Sequence, residues 1–364
     1  MKIAILYFQD IKRPLAGDLT YLSNLSRSLV ERDHEVEILS WFSTQSDQSL
    51  WRARFKRNIY GAYVLARSAR LSRFDLVLFA EPLYPFNMLL LRYLKSRIKS
   101  HIILCEVGAP VIRSRLYYLP IRNKFPVLIN ENNARHFAES ISTDIGLLPP
   151  SIDTARFHPL DMDKKWDLLY LGHLYQEKGV LLLMNAMKWL KDEGHSLKLK
   201  IVCAPNPEEK FYRRYIKHNG LDNIDMECAI IYDHISVYNS ARLFVYPGTS
   251  YKRVAQFPLT ILEASACGLP VVCNTLYRHI DLPNITWAEP TPESLADAIL
   301  RSLNTWNLDR RDRTTAIIHD RHALATTGRI AESLFADIVE GKKLSNRSQA
   351  GKSSSQRERD QTDI

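Results

Sequence analysis

Phe257-Pro-Leu-Thr-Ile-Leu-Glu-Ala-Ser-Ala-Cys-Gly-Leu-Pro-Val-Val272 sets a carboxylate, a glycine stop and an apolar strand within one short run. Glu263 falls near the start of a helix, among Leu262, Ala264 and Ala266, side chains suited to a packed wall. Gly268 and Pro270 can end that helix, and Val271-Val272 can open a strand. A short helix of this kind, between strands, presents its first turn at the edge of an α/β sheet. Backbone N–H groups and the positive helix end there attract phosphates. Thr260-x-x-Glu263 also reads as a capping box, in which the glutamate satisfies the helix's own amides.

A second informative block lies upstream, Asp167-Leu-Leu-Tyr-Leu-Gly-His-Leu-Tyr-Gln-Glu-Lys-Gly-Val-Leu-Leu-Leu183. It reads as a strand, a short loop with a lysine and a glycine, and a helix. A third, Pro247-Gly-Thr-Ser-Tyr-Lys-Arg253, is a loop just before the glutamate run. Lys252 and Arg253 there are either solvated loop cations or charge directed at an anion.

Together these blocks resemble the nucleotide-sugar site of retaining glycosyltransferases with the GT-B fold, of the family 4 or group 1 type. That pattern is a glutamate, seven residues, a second glutamate, then Ala-x-Ala-x-Gly-x-Pro-Val-Val. Here the second half matches, and Ala255 stands where the first acid belongs. In the upstream block Lys178-Gly179 fits, and His173 replaces an arginine. The resemblance implies that Glu263 grips a ribose, that the backbone of Thr260, Ile261 and Leu262 meets phosphate or sugar, and that Lys178 meets a departing diphosphate with His173 as a weaker partner. It adds Gly17, Gly172, Gly248 and Arg253 to the donor site, Gly17 by letting the first loop approach closely. Fixed cations facing developing negative charge are often the largest catalytic effect. A histidine does this only when protonated, whereas the missing guanidinium would have clamped in bidentate fashion.

The rest of the chain fits two Rossmann-like domains facing across a cleft, an α/β fold. Met1 to Tyr7, His34 to Leu39, Phe74 to Phe79, His101 to Cys105 and Val127 to Ile129 read as strands, with a helix through Leu22, Leu25 and Leu29. Residues 1–150 form the expected acceptor domain. Pro149-Pro-Ser-Ile-Asp-Thr-Ala-Arg-Phe-His-Pro159 resembles the family's interdomain segment, and residues 151–163 read as a stiff hinge. Residues 164–308 form the expected nucleotide-sugar domain, with strands near Leu197 to Cys203, Leu243 to Tyr246 and Pro270 to Cys273. Residues 309–340 read as helices, with a stretch near Arg321 to Val339 crossing back to the first domain by family analogy, and 341–364 as a disordered tail. Two such domains place a ligand at the carboxyl ends of the strands.

Composition bounds the alternatives. The chain has 364 residues and is 46% hydrophobic, enough for two ordinary cores. Its five cysteines show no zinc spacing and read as buried free thiols. The opening apolar run is too short for a signal peptide, and charges or prolines interrupt every candidate membrane span, so a cytoplasmic enzyme is expected, peripheral on the inner face of a membrane. Residues 1–150 carry roughly +8 of the formal net charge of +9. No helix-turn-helix, zinc finger or RNA-recognition signature accompanies that charge, so no nucleic-acid partner is expected. An anionic membrane surface fits better. Trp51 to Arg73 interleaves aromatics with cations and contains no acid; it suits either a lipid surface or a helix packed on its own sheet with a solvated basic face. Arg92, Lys95, Arg97, Lys99, Arg113, Arg115, Arg122 and Lys124 form a second basic zone.

For the acceptor side, Glu106 ends a strand and reads as a base, a sugar-hydroxyl acceptor or a cap for the next element. Asn130-Glu-Asn-Asn133 reaches the cleft or starts a helix. The expected function is hexosyltransferase-like transfer of a sugar from a nucleoside-diphosphate sugar to a lipid-linked or surface-glycan acceptor, with retention, without metal and without cofactor. A sugar-nucleotide-binding subunit that does not turn over, favoured by Ala255 and His173, and a GT-B sugar-nucleotide epimerase are the alternatives.

Overall fold

The structure, a computed structural model, describes residues 1–7, 17–40, 68–80, 83–105, 116–130, 135–231, 233–250 and 257–344. The chain divides into two compact units, one of Met1–Pro149 with the segment from Thr327 onward, the other of Pro150–Thr326.

The first unit is built on β1 (Lys2–Tyr7), α1 (Gly17–Val30), β2 (Glu35–Ser40), α2 (Ser68–Leu71), β3 (Leu76–Phe79), α3 (Pro85–Arg97), β4 (His101–Cys105), β5 (Val127–Ile129), α4 (Arg135–Ile141) and β6 (Ile145–Leu147). Its six strands are all parallel, in the order β2-β1-β3-β4-β5-β6. In β1, β3, β4 and β5 the residues are apolar almost without interruption, as strands covered on both faces require, whereas the edge strand β2 carries Glu35, Glu37 and Ser40. Leu6, Val77, Phe79, Leu91, Leu104 and Val127 join one core.

The second unit repeats the plan with β7 (Trp166–Leu171), α5 (Val180–Asp192), β8 (Leu199–Cys203), α6 (Glu209–His218), β9 (Ile224–Cys228), α7 (His234–Asn239), β10 (Ala241–Tyr246), α8 (Leu259–Ala266), β11 (Val271–Asn274), β12 (Ile285–Ala288), α9 (Pro292–Thr305) and α10 (Leu308–His322). This sheet is also parallel, ordered β12-β11-β10-β7-β8-β9. Leu168, Tyr170, Leu183, Met187, Val245 and Ile299 lie in its core.

The helical stretch expected from Arg321 to Val339 is broken at Ala323. There the backbone is extended, Ile152 donates its amide to the His322 carbonyl at 2.8 Å, and Ile152 bridges Ala323 in parallel. α10 therefore packs in the second unit, and α11 (Leu324–Val339) runs on, its residues from Thr327 counting with the first. Gly328 permits close approach to α1, since a Cβ there would stand 2.7 Å from the Ser28 carbonyl oxygen. Glu332 then binds Arg32 and His34, the latter at 3.2 Å. The first residues of the expected tail belong to the folded unit: Leu344 is buried near Gly146 and donates its amide to Asp144 at 2.7 Å.

Candidate functional site

In the second sheet β7 and β10 are neighbours, yet the chain leaves β7 toward β8 on one side and β10 toward β11 on the other. The connections diverge at that pair, and open parallel sheets place a ligand crevice at such a point, here beyond the carboxyl ends Leu171 and Tyr246. The residues that follow these ends are the candidates to line it. From β7 come Gly172, His173 and a 3₁₀ turn, Gln176–Lys178, that leads through Gly179 into α5. From β10 come Pro247 and Gly248.

Two glycines make the crevice possible. Gly179 has φ of 73°, and a Cβ there would overlap the Pro247 carbonyl oxygen at 2.0 Å. A side chain at Gly248 would press on the rings of Tyr246 and Tyr277, both about 3.0 Å away. The two loops are tied by the Thr249 amide, which donates to the Glu177 carbonyl at 3.0 Å. Gly172 is tight for a local reason: its Cβ would stand 3.0 Å from the Tyr170 hydroxyl. Gly17, in the first unit, differs, because a Cβ there would meet no described atom within 4 Å.

Among the described residues, Lys178 is the lysine at these strand ends. Its ammonium donates to the Tyr246 hydroxyl at 3.1 Å and lies 5.2 Å from the centroid of the same ring. No described carboxylate pairs with it. Burial pulls its pKa down to about 8, well under the ordinary lysine value. A half-buried ammonium held by a phenol and a ring face is suited to receive an anion. His173 is fixed at both ends of the residue: its carbonyl accepts from the Tyr170 hydroxyl at 2.6 Å, and its ring stacks on Tyr175 with centroids 5.1 Å apart.

Glu263 lies on α8, whose other residues from Leu259 to Ala266 are buried except Thr260. Its Oε2 accepts from the Tyr238 hydroxyl at 2.8 Å, leaving Oε1 as the remaining acceptor. Burial raises its pKa; Tyr238 and Arg156 work in the opposite direction. The capping-box reading is overturned. Pro258 is the N-cap, no side chain caps the helix, and the Glu263 carboxylate is turned to Tyr238. The expectation for the α8 backbone narrows as well, because the Ile261 amide donates to the Pro258 carbonyl at 3.0 Å. The amides of Leu259 and Thr260 are those left at the open first turn. Ile261 and Leu262 have fully buried side chains. Gly268, with φ of 76°, ends the helix as expected, its amide donating to Ser265 and that of Leu269 to Ala264.

Gly172, His173, Lys178 and Gly248 are thus brought together at the ends of β7 and β10, with Glu263 on the helix that follows β10. Glu106, Lys252, Arg253 and Ala255 lie outside the described residues, as do Glu131 to Asn133 and most of the basic stretch from Trp51. The tyrosines were not singled out by sequence. Tyr246 and Tyr170 sit in apolar strands and read there as core; the available signal was that Tyr246 directly precedes Pro247-Gly248 at a strand end.

Two parallel six-stranded sheets with flanking helices make this a protein of the GT-B type. Residues 165–305, within the second unit, match the family model of group 1 glycosyl transferases. No curated protein gives a significant match. Among solved structures, a glycosyltransferase from Rickettsia africae is similar at 14% identity and a TM-score of 0.71, covering 93% of this chain and 98% of that one. Anabaena HepE, solved with UDP and glucose, is similar at 16% identity and 0.67, over 92% and 99%. WaaG, a glycosyltransferase involved in lipopolysaccharide biosynthesis, is similar at 15% identity and 0.67, over 93% and 100%. Family model and fold together support a glycosyltransferase-type function.

Proposed function

We propose that the chain binds a nucleoside-diphosphate sugar in its second unit and transfers the sugar, with retention, to a lipid-linked or surface-glycan acceptor. The observation that carries this reading is Lys178, an ammonium without a described carboxylate partner, set where the β7 and β10 connections diverge, inside the segment that matches the family model. Its charge meets the diphosphate, and the uncapped first turn of α8 adds the field of a helix end. His173 assists in its protonated form, which a neighbouring anion favours by drawing a proton from solvent. Glu263 keeps one oxygen on Tyr238 and offers the other to a ribose hydroxyl. These groups do the electrostatic work on the leaving diphosphate, so no metal is required. UDP is the first nucleotide to test, given the ligand in Anabaena HepE. The acceptor belongs to the first unit in this reading, where Glu106 is a candidate base. The same basic unit faces an anionic membrane; among the described residues no helix is long and apolar enough to cross one.

Thermal shift of the full chain against UDP, GDP, ADP and CMP tests the donor reading, since a ligand selective for the native state raises the midpoint. A shift with one diphosphate, abolished by Lys178→Ala, is expected; no shift with any of them would remove it. Product analysis follows. Transfer to an added acceptor supports the enzyme, binding without turnover moves the reading to a non-catalytic subunit, and an altered donor sugar moves it to an epimerase.

A further inference from the structure

Of the eleven described large apolar side chains that stand exposed, five come from two short stretches of the first unit: Tyr84, Leu89 and Tyr93 on and before α3, Leu116 and Leu119 after it. Leu116 is 82% exposed, Leu89 and Leu119 63% each. The fold does not require them, because α3 buries Met88, Leu90, Leu91 and Leu94 on its other side.

The two stretches lie side by side. Lys95 donates to the Lys124 carbonyl and its ammonium lies 5.1 Å from the centroid of Phe125. Their charge is one-sided. Residues 83–105 and 116–130 contain Arg92, Lys95, Arg97, Lys99, Arg122 and Lys124 and no aspartate or glutamate. All but Arg122 are exposed, and the Arg97 guanidinium sits 5.5 Å from the Tyr93 ring centroid.

We propose that the outer side of α3 and the Leu116–Lys124 segment form a docking face for a bilayer surface with anionic headgroups. Leu89, Leu116 and Leu119 enter the headgroup boundary, Tyr93 sits at its level, and the cations meet lipid phosphates. Exposed leucines lose contact with water on insertion, and unopposed cations gain from the negative surface potential. A nucleic acid would use the cations but give the leucines nothing; a protein partner would need a strongly acidic surface with an apolar centre. This deepens the membrane part of the proposed function and rests on that part alone.

The test is co-sedimentation of the full chain with phosphatidylcholine vesicles and with phosphatidylglycerol-rich vesicles. Leu116→Ser/Leu119→Ser and Arg92→Ser/Lys124→Ser are compared, each checked for an unchanged thermal midpoint and UDP response. Binding to the anionic vesicles alone, reduced about tenfold or more by each variant, is expected. Absence of wild-type binding overturns the membrane reading altogether. Undiminished binding of both variants overturns this face while leaving another membrane contact. Loss with the cation variant but not the leucine variant overturns insertion, and a dimer dispersed by the leucine variant would assign the face to a second copy. The UDP response reads the donor site separately, so failure there is not confused with failure here.

Discussion

Lys178 carries the sharpest expectation at the scale of single residues. Its folded pKa is lowered to about 8 by burial, so its charge opposes folding below that pH, and stability returns as pH rises from there toward the unfolded value. Binding runs the other way. A diphosphate favours the charged form, so UDP affinity falls as pH rises through about 8 and binding there takes up a proton. Calorimetry in buffers of differing ionisation enthalpy measures that proton; a pH-independent affinity would remove Lys178 from the site. Lys178→Arg keeps the charge and flattens the profile. Lys178→Ala costs one charge-assisted hydrogen bond, about 1.5–3 kcal/mol, or about 10- to 100-fold in diphosphate affinity. Glu263 has the opposite sign. Its folded pKa is raised, so its contribution to stability falls as pH rises from the usual carboxylate range through the folded value. Glu263→Gln therefore leaves the neutral-pH midpoint unchanged or higher while weakening nucleoside binding. Tyr238→Phe strips a buried acceptor of its donor and costs about 1–3 kcal/mol in urea unfolding. The glutamate's presence near a phosphate-attracting helix end was legible in sequence. Its partner was not, because Tyr238 lies 25 residues earlier and meets it only after α7 and α8 pack.

Among elements, the turn between β7 and α5 depends on Gly179. A side chain needs both a left-handed backbone and space held by the Pro247 carbonyl, so Gly179→Ala is expected to cost about 3 kcal/mol or more and to abolish the UDP shift together with stability. Denaturant titration checks it; a cost below about 0.5 kcal/mol would mean the loops separate freely. The break between α10 and α11 has a buried titratable group beside it. His322 is buried against the Pro150 carbonyl at 2.8 Å, and burial lowers its pKa. Its neutral form supplies stability above the unfolded value, about 6.5, and that stability is lost as pH falls through the folded pKa. His322→Gln should flatten the acid side of the melting profile. Local signals found the glycine stop of α8 and misplaced its start. Thr260-x-x-Glu263 imitates a capping box, but the burial of Leu259 and the fixed φ of Pro258 begin the helix two positions too early for Thr260 to cap it.

For the whole molecule, the donor reading predicts where a nucleotide protects. With UDP bound, amide exchange should slow in Gly172 to Gly179 and Pro247 to Ser250, within the unit Pro150–Thr326, and protection confined to the first unit would contradict the assignment. Sequence by itself determined the α/β class, most strands and the two-domain plan, because buried parallel strands are nearly continuous apolar runs and the glycines and prolines between them punctuate locally. It also singled out the residues proposed for a donor site, since Lys178-Gly179 and the glutamate run are contiguous motifs. Only the tertiary structure decided which strands are neighbours, and so that Gly172 and Pro247 meet at one crevice. It alone decided that tyrosines from β7, β10 and α7 hold His173, Lys178 and Glu263, and that the leucines beside α3 face water. Strand order and side-chain partners come from contacts between residues far apart in the chain, and no local pattern of residues encodes them.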